Sequence, residues 1–346
     1  MVGNYESLTA LAERIEKVEK AKEDYIVSTQ KLTMDSPTTV TLENGELERY
    51  NLSDLAHQQI AARLSIPRAY YEKAAEIPGL REQNVNAWWQ KKPELRMIRT
   101  LEGNARAYLS NSFRPYDNFD AMQSLLPVLR EEPELKVFSQ TMTERRMYLQ
   151  FVFPRLHAEI KKGDVIQAGI TITNSEVGLG AVDVRSFLMR LVCMNGAIAE
   201  SLLRKYHLGR RLGGGDEDDA VQYRSDTIEA DVRAFQLQLR DIVRQALSES
   251  AFQKKVGQIE GAAADQMRDP EAVIVNVTKR FGLSDVESRG VTRNLIMGAD
   301  TSRWGLANSI TALAKDMENQ DRQYEVEKIG WEIVELRPQE WEAVNN

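Results

Sequence analysis

The sequence predicts an α+β protein in which a central, mostly antiparallel sheet is packed by helices and leads into a helical C-terminal unit. Three observations predict it. Strand-type segments bounded by turn signals fill residues 25–52 and 95–173, a helix-period pattern runs from residue 226 onward, and the order helix, strand, strand, strand follows residue 118. That order suggests helices on one face of the sheet.

Residues 5–24 set Leu8, Leu11, Ile15 and Val18 at helical spacing. Segments 25–35 and 38–52 read as short strands, with Asn44-Gly45 as a hairpin turn. Ser53 caps a helix running to about Leu64, Pro67 opens another through Ala75, and Gly79 to Lys92 is a third. Segments 95–101 and 104–110 flank Glu102-Gly103 as a hairpin, and Asp117 or Asn118 caps the next helix. Strands are expected at 135–141, 146–153 and 165–173, and residues 182–200 read mainly as helix. Later helices are expected at 224–247, 270–281, 284–297, 304–317 and 323–334. The Gly-rich, then acidic, segment 207–225 reads as a mobile loop. The organisation is thus 1–52 helix and strands, 53–206 basic α+β core, 207–225 loop, and 226–346 acidic helical unit.

Net charge is −7, which taken alone argues against a nucleic-acid partner. The distribution changes that reading. Residues 1–59 hold 6 Lys/Arg against 11 Asp/Glu, residues 60–211 hold 23 against 16, and residues 212–346 hold 16 against 25. A basic middle between acidic flanks points to a polyanion-binding face, or else to charges that pair within the fold. One cysteine, Cys193, excludes an internal disulfide and fits a reducing cytosol. No stretch is apolar enough to span a bilayer, and the N-terminal segment lacks a signal-peptide core. A cytoplasmic protein that does not engage membranes is the expectation.

His57, His157 and His207 have no companions at metal spacing, and Cys193 lies in the apolar run LVCMNG. No metal and no cofactor is expected. Gly213–Gly215 lacks the Gly-Lys-Ser/Thr ending of a phosphate loop. The turn Asn174–Gly180 could offer amides to an anion, although a tight turn with no ligand is the preferred explanation. No nucleophile elbow or paired catalytic motif is present, so an enzyme is disfavoured. Residues 52–74 have helix-turn-helix character, with Arg68 and Tyr70 near the start of the second helix, a pattern that any two helices joined by a tight turn also produce.

The strongest constellation interleaves basic and aromatic residues. Trp88-Trp89 precede Lys91 and Lys92; Arg96, Arg99, Arg106 and Tyr108 line a hairpin; Phe113, Arg114 and Tyr116 follow. Arg145, Arg146 and Tyr148 open a central strand, and Arg210 and Arg211 sit before the glycine run. Cations along phosphates and aromatic faces under bases hold single strands in this way. Strand alternation limits the idea: Arg96 and Arg99 fall on opposite faces of one strand, so some of these residues must be internal.

The runs RMIRTLEGNARAYLSNSFRPYDNFDAMQSLLPVL, GDVIQAGITITNSEVGLGAVDVRSFLMRLVCMNG and RWGLANSITALAKD resemble the phage/plasmid-like protein family, domain of unknown function 932, over roughly residues 50–335. The resemblance implies a mobile-element setting and brings no catalytic residues. At the level of architecture, residues 135–200 are similar to the strands-then-helix core of single-strand annealing recombination proteins. The expected function is single-stranded DNA binding by a homo-oligomer in recombination or annealing. The alternative is a structural or protein-interaction component, an inhibitor or scaffold, of a phage or plasmid.

Overall fold

The computed structural model describes residues 8–113, 115–132, 134–180, 182–192, 195–205 and 225–346. Helix α1 (Leu8–Ala21) buries Leu11 and Ile15, the stripe the spacing predicts. It ends before residue 24 because Lys22–Ser28 forms strand β1, paired antiparallel with a later strand from Lys22↔Leu101 to Ser28↔Leu95. Long-range pairing overrides the helical propensity of that charged stretch.

Strands β2 (Leu32–Ser36), β3 (Thr39–Asn44) and β4 (Glu46–Leu52) follow, with Gly45 at φ 87° in the predicted hairpin turn. Helix α2 (Asp54–Arg63) is capped by the Ser53 hydroxyl, which accepts from the Ala56 amide at 3.1 Å. Helices α3 (Arg68–Ala74) and α4 (Leu80–Lys91) lead to the hairpin β5 (Leu95–Leu101) and β6 (Asn104–Ser110). These six strands form one sheet in the order β1-β5-β6-β4-β3-β2, antiparallel except for the β4–β6 pair. The sheet therefore runs across the expected boundary at residue 52. Helices α2, α3 and α4 cover it, burying Ile60, Tyr71, Val85 and Trp89 against Met34, Leu42, Ile98 and Tyr108.

Helix α5 (Asn118–Arg130) opens with a capping box between Asp117 and Asp120. A second, wholly antiparallel sheet follows: β7 (Lys136–Met142), β8 (Met147–Lys161), β9 (Asp164–Asn174), β10 (Val182–Arg190) and β11 (Asn195–Lys205), in the order β11-β10-β9-β8-β7. Val182–Arg190 and Asn195–Lys205 are strands, where the sequence suggested helix over 182–200. Their apolar run lacks period-two alternation because β10 is buried on both faces. The strands-then-helix order over residues 135–200 is accordingly absent.

Helices α6 (Ser225–Ala246), α7 (Glu249–Ala264), α8 (Pro270–Phe281), α9 (Asp285–Gly298), α10 (Arg303–Thr311), α11 (Gln320–Val334) and α12 (Pro338–Val344) complete the α+β fold. The expected mobile loop, residues 207–225, lies outside the described residues except for Ser225, which opens α6. Helices cover both faces of the second sheet, where the sequence suggested one. Leu149, Phe151, Phe153, Ile170 and Ile172 pack on α1, α5 and α6. The opposite face meets α11, through Gln150 and Glu327 among others.

One packing detail makes a prediction. Phe187 pairs with Gly169 on the neighbouring strand. A methyl at Gly169 would meet the Phe151 carbonyl oxygen and, at 2.8 Å, the Phe187 ring, and one at Gly196 would meet the same ring. Gly169→Ala should destabilise by roughly 1–3 kcal/mol in denaturant unfolding, as overpacked cores do. Gly257→Ala, on open helix surface, should be neutral or stabilising by up to about 1 kcal/mol. Equal midpoints for the two variants would refute the reading.

Candidate nucleic-acid interface

The predicted basic residues separate into buried and exposed sets. Arg99 is 1% exposed. It donates to Asp24 Oδ1 at 2.9 Å, to Asp117 at 2.8 and 2.7 Å, and to the Glu176 carbonyl at 2.6 Å. Arg106 pairs with Glu176 Oε2 at 2.7 Å. Lys22 adds an ammonium 2.6 Å from Asp117 and 3.3 Å from Glu176, and also reaches Glu19. This network joins α1, β1, β5 and β6 to the α5 cap and the β9–β10 turn. Burial pushes the Asp117 carboxyl up, but Arg99 and Lys22 outweigh it and hold the group below its usual range. The ordinary value of the Lys22 ammonium is raised, since Glu176 and Asp117 more than offset its burial. Arg99 and Arg106 are thus ion-pair partners inside the fold.

Glu19, Asp117 and Glu176 bring three carboxylates within 4.8 Å of one another, the donor set of a divalent cation. Lys22 lies among them, so the chain supplies that cation itself. The Asn174–Gly180 turn works in the same sense. Its carbonyls accept from the neutral Gln59 amide at Val177, and from Arg146 at Leu179 and Arg99 at Glu176, so it presents acceptors to donors, two of them cations.

Tyr148 is buried as well, its hydroxyl bonded to Asp321 and its ring 5.6 Å from Tyr324. It belongs to a polar constellation under α11. Cross-strand pairing aligns Tyr148, Thr173 and Asp183 in one row and Gln150, Thr171 and Arg185 in the next. Facing them, Glu327 accepts from Gln150 Nε2 at 2.7 Å and from Gln323 at 3.4 Å. With no ion-pair partner among the described residues, the Glu327 carboxyl is pushed up by burial to about 7. Sequence reading missed this group. Its only signal was a glutamate in helical register with Trp331 and Val334.

Part of the exposed set gathers at one place. Helix α4 ends with Trp88, 44% exposed, and the Lys91 ammonium lies 5.2 Å from its ring centroid. The Lys92 side chain is 78% exposed, with Glu94 3.6 Å away. Arg63, at the end of α2, reaches Glu94 Oε2 at 2.9 Å, and Arg96, although buried, pairs with the same oxygen. Between them is a cleft of about 230 Å³ walled by Trp88, Trp89 and Tyr108. Trp89 and Tyr108 stack at 6.1 Å and share a 3.2 Å hydrogen bond. The site therefore holds Lys91, Lys92 and Arg96 from the expected set, plus Arg63, Glu94 and the cleft itself. Arg63 was legible only as a basic residue at a helix end.

Arg145 and Arg146 lie elsewhere. Arg145 is half-exposed, 3.6 Å from Asp54, and Arg146 is held by the Leu179 carbonyl. Arg68, in the helix-turn-helix segment, is bound by Asp54 at 2.7 Å and Glu72 at 2.6 Å, acids that line the groove between α2 and α3. A phosphate there would meet carboxylates. His57 is buried and bonded to Tyr71 at 2.8 Å, its imidazole pushed down to about 4 by burial and then by Arg81 and Arg68. Arg114, Cys193, His207, Arg210 and Arg211 fall outside the described residues.

Residues 107–340 match a family described as a domain of unknown function, DUF932. The chain belongs to that family. The matched segment begins inside β6, later than the residue 50 expected, and covers α5, the five-stranded sheet and the C-terminal helices. Apart from Tyr108, the residues that line the Trp88 cleft lie before it. No curated protein and no solved structure gives a match. Among the described residues no helix is long and apolar enough to cross a membrane.

Proposed function

We propose that this protein binds single-stranded DNA through the Trp88 cleft, as a phage or plasmid protein acting in recombination. One observation carries the reading: an exposed indole stands beside two lysines at the mouth of an aromatic-walled cleft. Stacking on Trp88 would hold a base, and Lys91 and Lys92 would neutralise the flanking phosphates. Duplex, whose bases are stacked inside, offers no face to the indole. The mobile-element setting rests on the sequence blocks quoted above. An annealing step within recombination belongs to the same reading; an antiparallel sheet of five strands followed by α6 supports it only by analogy of architecture.

Fluorescence anisotropy with a labelled 12-mer, titrated across salt, tests the proposal. Single strands should bind more tightly than duplex, and affinity should fall steeply with salt. Trp88→Ala should cost about 1–3 kcal/mol of binding. Replacing Lys91 and Lys92 together by alanine should lower the salt slope by about 2. Unchanged binding in both variants would remove the cleft from the argument.

A second reading, a scaffold or inhibitor, draws on α9, where Val286, Ile296 and Met297 are exposed. Apolar side chains on a charged surface suit a protein partner, including another copy of the chain. Light scattering across concentration and salt separates the cases: an apolar contact survives salt, and a charge-driven one weakens.

A further inference from the structure

We propose that the Trp88 cleft seats one nucleobase and selects bases that carry an exocyclic amino group, an inference that rests on the single-strand reading above. The argument is an inventory of the hydrogen-bonding groups on its wall. Trp89 Nε1–H is committed to the Tyr108 hydroxyl at 3.2 Å. The Thr29 hydroxyl donates to the Trp89 carbonyl at 3.0 Å and accepts from the Glu94 amide at 3.1 Å. These two wall donors are therefore spent within the protein.

Acceptors remain. Glu94 sits in the cleft with its two oxygens unequally used. Oε2 takes both Arg63 and Arg96, whereas the nearest cation to Oε1 is Lys92 at 3.6 Å, beyond hydrogen-bond reach. An ionised carboxylate has room for about four donors in all, so Oε1 keeps open acceptor sites. The helix ends point the same way. Both α2, through Arg63 and Leu64, and α4, through Trp88 and Lys92, terminate on this cleft. Helix C-termini carry partial negative charge, although here the Ile60, Ala61, Ala62, Trp88 and Trp89 carbonyls already accept from the Leu64, Ile66, Ser65 and Lys92 amides and the Thr29 hydroxyl. Lys91, Lys92 and Arg63 offset that charge at the rim and leave phosphates a place outside.

The cleft thus offers stacking walls and one open carboxylate oxygen, Glu94 Oε1, and the rim offers cations. Adenine N6, cytosine N4 and guanine N2 are amino donors that match such a wall, while thymine has none. The cavity of about 230 Å³ suits one base and not a run of them. The expected behaviour opposes that of a flexible-strand binder, which favours pyrimidine runs such as oligo-dT for their backbone flexibility.

The test uses the full chain and four probes: dC12, dA12, dT12 and a mixed 12-mer, read by quenching of tryptophan fluorescence and by anisotropy at fixed salt. dC12 and dA12 should bind roughly tenfold more tightly than dT12. Glu94→Gln exchanges one acceptor oxygen for a donor amide and should shrink that ratio toward one by weakening dC12 and dA12 more than dT12. Should Glu94→Gln disturb the fold through Arg96, the wild-type ratio still decides, since it needs no variant. Equal or tighter binding of dT12 by the wild type overturns the base selection, as does a ratio that a folded Glu94→Gln chain leaves untouched. Failure of every probe to bind sinks the single-strand reading itself, which is a different result from binding without preference.

Discussion

Arg99→Ala should lose about 3–5 kcal/mol of stability, more than any substitution at the exposed basic residues. The side chain is 1% exposed and feeds Asp24, Asp117 and the Glu176 carbonyl at once. Its removal leaves buried carboxylates without their counter-charge, and breaking a buried pair by deleting one partner has that cost. Lysine should rescue poorly, because a single ammonium cannot reproduce the two parallel bonds from the guanidinium to Asp117. Lys91→Ala, at the surface, should stay within about 0.5 kcal/mol. The network also has a pH signature. Asp117 is held below its usual range in the folded chain, so its contribution is present above the ordinary Asp value and is lost as pH falls below it. Denaturant unfolding at neutral pH decides the first point, and an Arg99→Ala chain as stable as the wild type would overturn it.

Glu327→Gln should raise stability at pH 8 by about 3 kcal/mol and change it little near pH 4.5. The sign follows from the carboxyl being raised from 4.5 to about 7 by burial. Between those values the folded chain holds a proton that the unfolded chain has released, so wild-type stability falls as pH rises through this window. Above it the folded chain carries a charge shut away from water, at about 1.4 kcal/mol per unit of displacement. Glutamine keeps the shape and removes the charge. Denaturant midpoints from pH 4.5 to 8 should separate progressively for the two chains. Parallel curves would mean that Glu327 finds a counter-charge or water on ionising.

Much of the secondary structure was legible because local chemistry decides it. Ser53, Asp117 and Ser284 cap helices where capping residues precede apolar periodicity, and Gly45 and Gly103 turn hairpins at positive φ. Several elements were not legible, the short α12 among them. Val182–Arg190 belongs to a strand buried on both sides, where a continuous apolar run cannot be told from a helix. Helix α7 escaped because its apolar positions, Phe252, Val256 and Ile259, are interrupted by Gly257 and Gly261. The site was half legible. Trp88, Lys91 and Lys92 are neighbours in sequence and in space. The fates of Arg96, Arg99 and Arg106 depend on acids 2 to 77 positions away, and no spacing rule reports whether an arginine faces a phosphate or an aspartate.

Helix α1 has a consequence for how the chain is made. Its buried residues, Leu11 and Ile15, pack with Met122, Leu125 and Leu129 of α5, whereas β1, which follows directly, pairs into the other sheet. A growing polypeptide exposes α1 long before its seat exists. All six strands of the first sheet lie before residue 111, so that sheet can close while residues 118–130 are still inside the ribosome. At about 5–20 residues per second the interval is roughly 5–20 s. Through it, α1 waits with its apolar stripe bare, open to a chaperone or to another nascent chain. Helix α1 is made well before the helix that seats it.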